Sequence, residues 1–203
     1  MRILLINQFY RPDTAATGQL LADLAEELTV QGHDVHVICS RRRYGGGHDA
    51  YPKNETVNGV NIHRTGATGF GRSMVAGRLL DWSSFYLLAM WRAFRLPKMD
   101  VCIALTTPPF ISLIGVILRR TRGTKLIVWA MDLYPEATVA LDVLTKRSIL
   151  YRLLASISRS IYKSSSGIIS LGEVMTQRLV EAGAPDDKIT VVHNWVPGKA
   201  VEQ

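Results

Sequence analysis

The sequence predicts an α/β domain built on a doubly wound, mostly parallel sheet of about seven strands, with helices on both faces. Three observations carry this. Short aliphatic runs alternate with stretches of helical periodicity along the chain, and no internal repeat interrupts them. The runs are apolar at successive positions, as in strands buried on both faces. The separation of the first two runs fits a single crossover helix, which makes a βαβ unit. A chain of 203 residues, 47% of them hydrophobic, suffices for one large core.

Arg2 to Ile6 is the first strand, and Asn7 to Ala16 the loop after it. Gly18 opens a helix with Leu20, Leu21, Leu24, Ala25 and Leu28 on one face, closed by Gly32-His33. A strand that empties into a helix N-terminus leaves unpaired N–H groups and a positive dipole end, suited to a phosphate or carboxylate. The same residues equally make a plain first βα unit. Asp34 to Cys39 is the second strand. Ser40 to Asn58, with Arg41-Arg42-Arg43 and Gly45-Gly46-Gly47, has no periodicity and reads as a mobile loop at the sheet's edge. Val60 to Arg64 is the third strand.

Ser73 to Leu96 is a long helical stretch rich in aromatics, with Trp82, Phe85, Tyr86, Trp91 and Phe94. It is apolar nearly all round between Phe85 and Met90, so it is either packed on the sheet or dipped in a bilayer surface. Val101 to Thr106 is the fourth strand, ending in Thr107-Pro108-Pro109. A helix from Phe110 to Leu118 follows, closed by Arg119 and Arg120, which complement its dipole. Lys125 to Ala130 is the fifth strand and Met131 to Glu136 the turn after it. Arg147 to Ser164 is a helix, Gly167 to Leu171 the sixth strand, Glu173 to Glu181 a helix, and Ile189 to His193 the seventh strand.

The net charge is +7, and its placement is uneven. Between Asn61 and Lys125 stand ten Arg and Lys against two acids, Asp81 and Asp100, so the rest of the chain is close to neutral. Such a region suits an anionic partner: a nucleic acid, an anionic membrane or a phosphorylated substrate. Ordinary solubilising charge is the plainer alternative. Cys39 and Cys102 stand apart, without metal or redox spacing, as in a reduced cytoplasmic protein. The first apolar run is too short for a secretory signal, and no segment reaches the roughly 20 apolar residues of a membrane span.

In a doubly wound sheet, ligands bind beyond the carboxyl ends of the strands. The loops to watch are Gln8 to Gly18, Ser40 to Asn58, Thr106 to Pro109 and Met131 to Glu136. Dinucleotide binding is disfavoured, because the first turn has only Gly18 and the second strand ends without an acid. There is no P-loop, no serine elbow and no metal-ligand spacing. What remains is Asp132, just past a buried strand with Tyr134 and Glu136 beside it. A carboxylate there can accept a proton from a sugar or lipid hydroxyl. It can equally cap the helix that follows.

Taken together, the loops resemble a known family. The runs RILLINQFYRPDTAATG…LAEELTVQGHDVHVIC, VWAMDLYPEATVALDVL and RSIYKSSSGIISLGEVMTQRLVEAGAPDDKITVVHNWV are similar to the N-terminal domain of family 4 glycosyltransferases, enzymes of two Rossmann-like domains. The resemblance covers Met1 to Val196. The D-L-[YW]-P-E element points to the branch that builds bacterial surface polysaccharides, lipopolysaccharide and capsule among them.

The resemblance implies retaining transfer of a hexosyl or N-acetylhexosaminyl group from a nucleotide-diphosphate sugar, expected to be UDP-linked, with no cofactor and no obligatory metal. It implies that residues 1–196 bind the acceptor and that residues 197–203 begin an interdomain linker. A C-terminal domain absent from this chain would make most donor contacts, so the chain alone should be inactive. Thr17 and Gly18 match the loop that faces the donor diphosphate; many relatives carry two glycines there, and Thr17 takes the place of the first. Asp132 matches the catalytic position near the acceptor hydroxyl. Tyr134 and Glu136 match the same motif, and Arg41 with Thr106 and Thr107 lie on the acceptor side. Front-face substitution is the implied mechanism, with Asp132 as base or orienting group. Trp82, Phe85, Trp91, Arg92 and Arg95 would hold the enzyme against the anionic inner face of the cell membrane, where a lipid-linked glycan acceptor waits. No nucleic acid is expected as a partner. The alternative is a truncated, non-catalytic domain that binds membrane or partner enzymes only.

Overall fold

A computed structural model describes residues 1–42, 51–66 and 75–195. Arg43, Gly45 to Gly47, the first residues of the Ser73–Leu96 stretch, and Val196 with the linker residues 197–203 lie outside them.

Eight strands form one sheet: β1 (Arg2–Ile6), β2 (Asp34–Ser40), β3 (Asn54–Val57), β4 (Val60–Thr65), β5 (Val101–Ala104), β6 (Lys125–Trp129), β7 (Gly167–Ser170) and β8 (Ile189–Val191). Their order is β3-β4-β2-β1-β5-β6-β7-β8. All neighbours run parallel except β3 and β4. The chain winds outward from β1 to β2 and β4, then returns to β5 on the other side. The direction of winding therefore reverses between β1 and β5.

Alternation along each strand sorts the core into two layers. Leu4, Ile6, Ile38, Cys102, Ala104, Leu126, Val128 and Ile168 face one way. They meet α2 (Val75–Arg95), α3 (Leu113–Arg122), α5 (Ile149–Ser164) and α6 (Glu173–Glu181). Ile3, Leu5, Val35, Val37, Cys39, Ile103, Leu105 and Trp129 face the other way and meet α1 (Ala16–Val30). Trp195 closes that second layer. It stacks on Trp129 with ring centroids 5.6 Å apart and donates its Nε1–H to Asp23 Oδ2 on α1 at 3.1 Å. A short helix, α4 (Glu136–Ala140), bridges β6 and α5.

Three expectations need correction. The sheet has eight strands, because Asn54 to Val57, expected to be loop, pairs antiparallel with β4. The turn between them is Asn58-Gly59, with φ of 51° and 79°. Positive φ at both positions is the geometry of the tight two-residue turn that suits the twist of a hairpin. The polar, mostly exposed residues of β3 hid it from periodicity. The second correction concerns Phe85, expected to touch lipid. It is 0% exposed, packed with Ala89, Ala93 and Leu96 in the core. By helical spacing Trp82 lies on that same side, and it is half-buried. The opposite face of α2 carries exposed Leu80, Leu87, Trp91 and Phe94. The third concerns Asp132: α4 takes Pro135 as its N-cap with no side-chain cap, so Asp132 does not cap it.

Among the described residues, no helix is long and apolar enough to cross a membrane. The two faces of α2 set a stability test. Phe85→Ala is expected to cost about 3–5 kcal/mol, as for large core truncations. Leu87→Ser, at 73% exposure, should stay within about 0.5 kcal/mol of wild type. Denaturant unfolding measures both; the reverse ranking would show that α2 is turned the other way.

Candidate functional site

The carboxyl ends of the strands are laced together by hydrogen bonds. Ser40, at the end of β2, donates its N–H to Gln8 O at 2.8 Å. Gln8, just past β1, donates its own N–H to Thr107 O at 2.9 Å. Thr106 Oγ1 then accepts the N–H groups of Met131 and Asp132 at 3.1 and 3.0 Å. Four strand ends are thus tied across the point where the winding reverses, which is where such sheets open a ligand crevice.

On one side of that point, α1 starts with Ala15 as N-cap, with no side-chain cap and no acid in its first turn. Thr17 is half-buried, and its Oγ1 lies 3.4 Å from Asn7 Nδ2. Asn7 is fully buried, donates Nδ2–H to Phe9 O at 2.8 Å, and keeps its Oδ1 without a partner. Gly18 is buried against the loop: an added Cβ would lie 3.1 Å from Phe9 C and Tyr10 N. The missing side chain lets the helix start lie on the loop backbone.

On the other side, Asp132 stands at the mouth of a cavity of about 500 Å³ beyond β6 and β7. Glu136, Glu173, Arg178 and the apolar Met131 and Met175 line it as well. Partial desolvation pushes the Asp132 carboxyl above its ordinary pKa although the residue is exposed at the surface. Tyr134 follows upward, first from burial and then from the charge of Asp132. Glu136 Oε1 accepts from Tyr151 Oη at 3.4 Å, while its Oε2 is buried without a partner. The Tyr134 carbonyl accepts the Ser158 hydroxyl at 2.5 Å, which fixes the turn to α5. Phe110, beyond β5, holds φ of 64° and packs its ring 6.3 Å from that of Tyr134. A bulky residue in the left-handed region is strained, and such positions cluster at functional sites.

The structure therefore brings Asp132, Tyr134, Glu136 and Thr106 together, with Thr107 beside them as a backbone acceptor. Thr17 and Gly18 stand across the β1/β5 divide. Arg41 lies elsewhere: it lines a second cavity with Trp91 and Arg92, next to β4. Arg95 stacks over the Trp91 ring at 4.1 Å. Sequence reasoning missed Glu173 and Arg178, which follow Leu171-Gly172 at the end of β7. The rule that ligands gather at strand carboxyl ends applies to that loop too. Among the described residues, no three His, Cys, Asp or Glu side chains are grouped so as to hold a metal ion.

A doubly wound, mostly parallel sheet with helices packed on both faces defines a Rossmann-like domain. The chain belongs to the glycosyl transferase 4-like domain family, whose model matches residues 16–195. It is 28% identical over 116 residues to the probable glycosyltransferase WbjE of Pseudomonas aeruginosa, a match covering 57% of this chain and 29% of that protein. Solved structures share the fold. Sucrose-phosphate synthase from Thermosynechococcus elongatus superposes with a TM-score of 0.71 at 12% identity, over 98% of this chain and 49% of that one. Anabaena HepE, in complex with UDP and glucose, superposes with a TM-score of 0.55 at 14% identity, over 97% and 45%. The chain thus spans about half or less of the length of these relatives.

Removing the Thr106 hydroxyl tests the lacing. Thr106→Val leaves two backbone N–H groups without their acceptor and is expected to cost about 1–3 kcal/mol of stability. Thr107→Val, which keeps the carbonyl that Gln8 uses, should change little. Equal midpoints for Thr106→Val and wild type in thermal unfolding would contradict the role given to Thr106.

Proposed function

We infer that this domain is the acceptor-binding half of a retaining glycosyltransferase that works on cell-surface polysaccharide. The observation that carries the reading is the Asp132 carboxylate at the mouth of the cavity beyond β6, in a turn held by Thr106. A sugar ring in that cavity meets carboxylates that accept from its hydroxyls, Arg178 that donates to them, and apolar Met131 and Met175 under its C–H face. The attacking hydroxyl lies against Asp132.

In front-face substitution the bond from the anomeric carbon to the donor phosphate oxygen breaks while the bond to the acceptor oxygen forms on the same side. The hydroxyl proton passes to the departing phosphate oxygen, with Asp132 orienting the hydroxyl, or to Asp132 itself. The donor is a nucleotide-diphosphate sugar, UDP-linked by analogy with HepE. Its diphosphate lies near the start of α1, where uncapped N–H groups and the dipole favour negative charge. A second domain grips the rest of it, and no cofactor or metal is required.

The acceptor is lipid-linked, and the outer face of α2 meets the anionic inner surface of the cell membrane. Supporting this are the exposed Leu80, Leu87, Trp91 and Phe94 beside Arg92 and Arg95. In the enzyme completed by its donor-binding domain, Asp132→Asn is expected to lower sugar transfer by roughly 10²-fold or more. Radiolabelled sugar transfer to lipid acceptor measures it, and near-normal turnover would remove Asp132 from the chemistry.

A further inference from the structure

The second cavity, of about 410 Å³, lies between the β3–β4 hairpin and α2. Four cations from separate segments converge on it: Arg41 after β2, Lys53 before β3, Arg64 on β4 and Arg92 on α2. None of its described lining residues is acidic. Among the described residues, Arg64 is the one with an acidic partner, Glu55; its side chain is 0% exposed and also donates to Arg11 O at 2.8 Å. Arg41 and Arg92 are held by neutral acceptors. Arg41 Nε–H donates to Tyr51 O at 2.8 Å. Arg92 donates to Asn54 Oδ1 and approaches His63 Nδ1, each at 2.7 Å. Burial and the Arg92 charge hold His63 neutral, with its pKa lowered to about 4, so it can accept that bond. These contacts orient the Arg41 and Arg92 guanidinium groups without cancelling their charge, and both keep further N–H donors for a ligand.

Like charges gathered this closely repel one another, and a bound anion relieves the repulsion. The oriented guanidinium forks match the oxygens of a phosphate. Beside them the cavity has an apolar lip, Leu88 at 40% and Trp91 at 53% exposure, continuous with the exposed face of α2. A free phosphate would use the cations alone; a phosphate carrying a hydrocarbon tail uses both. We propose that this cavity binds the phosphate head of a membrane-embedded lipid, with the tail leaving over Leu88 and Trp91. The site is separate from the Asp132 cavity. Between β4 and β6 lie β2, β1 and β5, a separation of about 19 Å at about 4.8 Å per strand. The proposal rests on the membrane contact of α2 given above, and adds to it a defined headgroup site.

The test titrates the chain with dihexanoyl phosphatidic acid below its micelle-forming concentration, and with inorganic phosphate, by calorimetry. Wild type should bind the short lipid saturably and inorganic phosphate at least tenfold more weakly. Arg41→Gln and Lys53→Gln should each bind the lipid at least tenfold more weakly than wild type, with near-ultraviolet circular dichroism confirming their fold. Lys53 is exposed, so its variant remains informative if Arg41→Gln unfolds. Wild-type affinity in the folded variants, or no saturable binding by wild type, would overturn the proposal. Equal affinity for inorganic phosphate would overturn the lipid assignment. Leu87→Ser, outside the cavity, should keep the short-lipid affinity and sediment less with phosphatidylglycerol vesicles. If wild type binds the short lipid but ignores the vesicles, the cavity stands and the membrane contact of α2 fails.

Discussion

The site depends on the hydrogen bonds that run across the carboxyl edge of the sheet, from Ser40 to Gln8 to Thr107, and from Met131 and Asp132 to Thr106. Loops that leave parallel strands have no ladder of their own, so their backbone groups need partners elsewhere. Here each loop takes its partner from the loop of a neighbouring strand. The consequence is that the backbone at Asp132 is tied to β5 as well as to β6.

The second organising feature is the division of labour in α2. One face is core, with Phe85 fully buried; the opposite face is apolar and exposed; cations stand along the seam between them. The uneven charge of the sequence thereby acquires a place. Arg92 faces the hairpin, Arg95 covers Trp91, and Arg122 ties the end of α3 to the carbonyls of Phe94 and Leu96. Part of the basic segment is therefore structural, while Arg92 meets Arg41 and Lys53, which lie outside that segment, at a cavity with no acid among its described lining residues.

The parallel strands were legible in the sequence because burial on both faces leaves an uninterrupted aliphatic signature, as in Leu4-Leu5-Ile6 and Leu126-Ile127-Val128. Strand β3 was not, because an edge strand with exposed side chains has no such signature; its only signal was the turn at Asn58-Gly59. Phe85 and Trp91 looked alike as aromatics, and only the phase of the helix separates them. Asp132 was legible from its place after a buried strand, and so was Thr106. Glu173 and Arg178 reach the same cavity from a distant part of the chain. The family resemblance set Arg41 on the acceptor side with Asp132, yet the strand order sets β2 and β6 apart.

Asp132 is exposed at the rim, yet the protein around it shields its carboxyl enough to raise its pKa. The direct measurement is its titration by carbon-detected nuclear magnetic resonance of side-chain carboxyls in the labelled chain. The expected midpoint lies above the ordinary value of 3.8. Because the folded value is raised, this group favours the folded state in acid, and that contribution is lost as pH rises through the folded midpoint. A midpoint at or below 3.8 would mean that the carboxylate is solvated or paired, and would contradict the site as described.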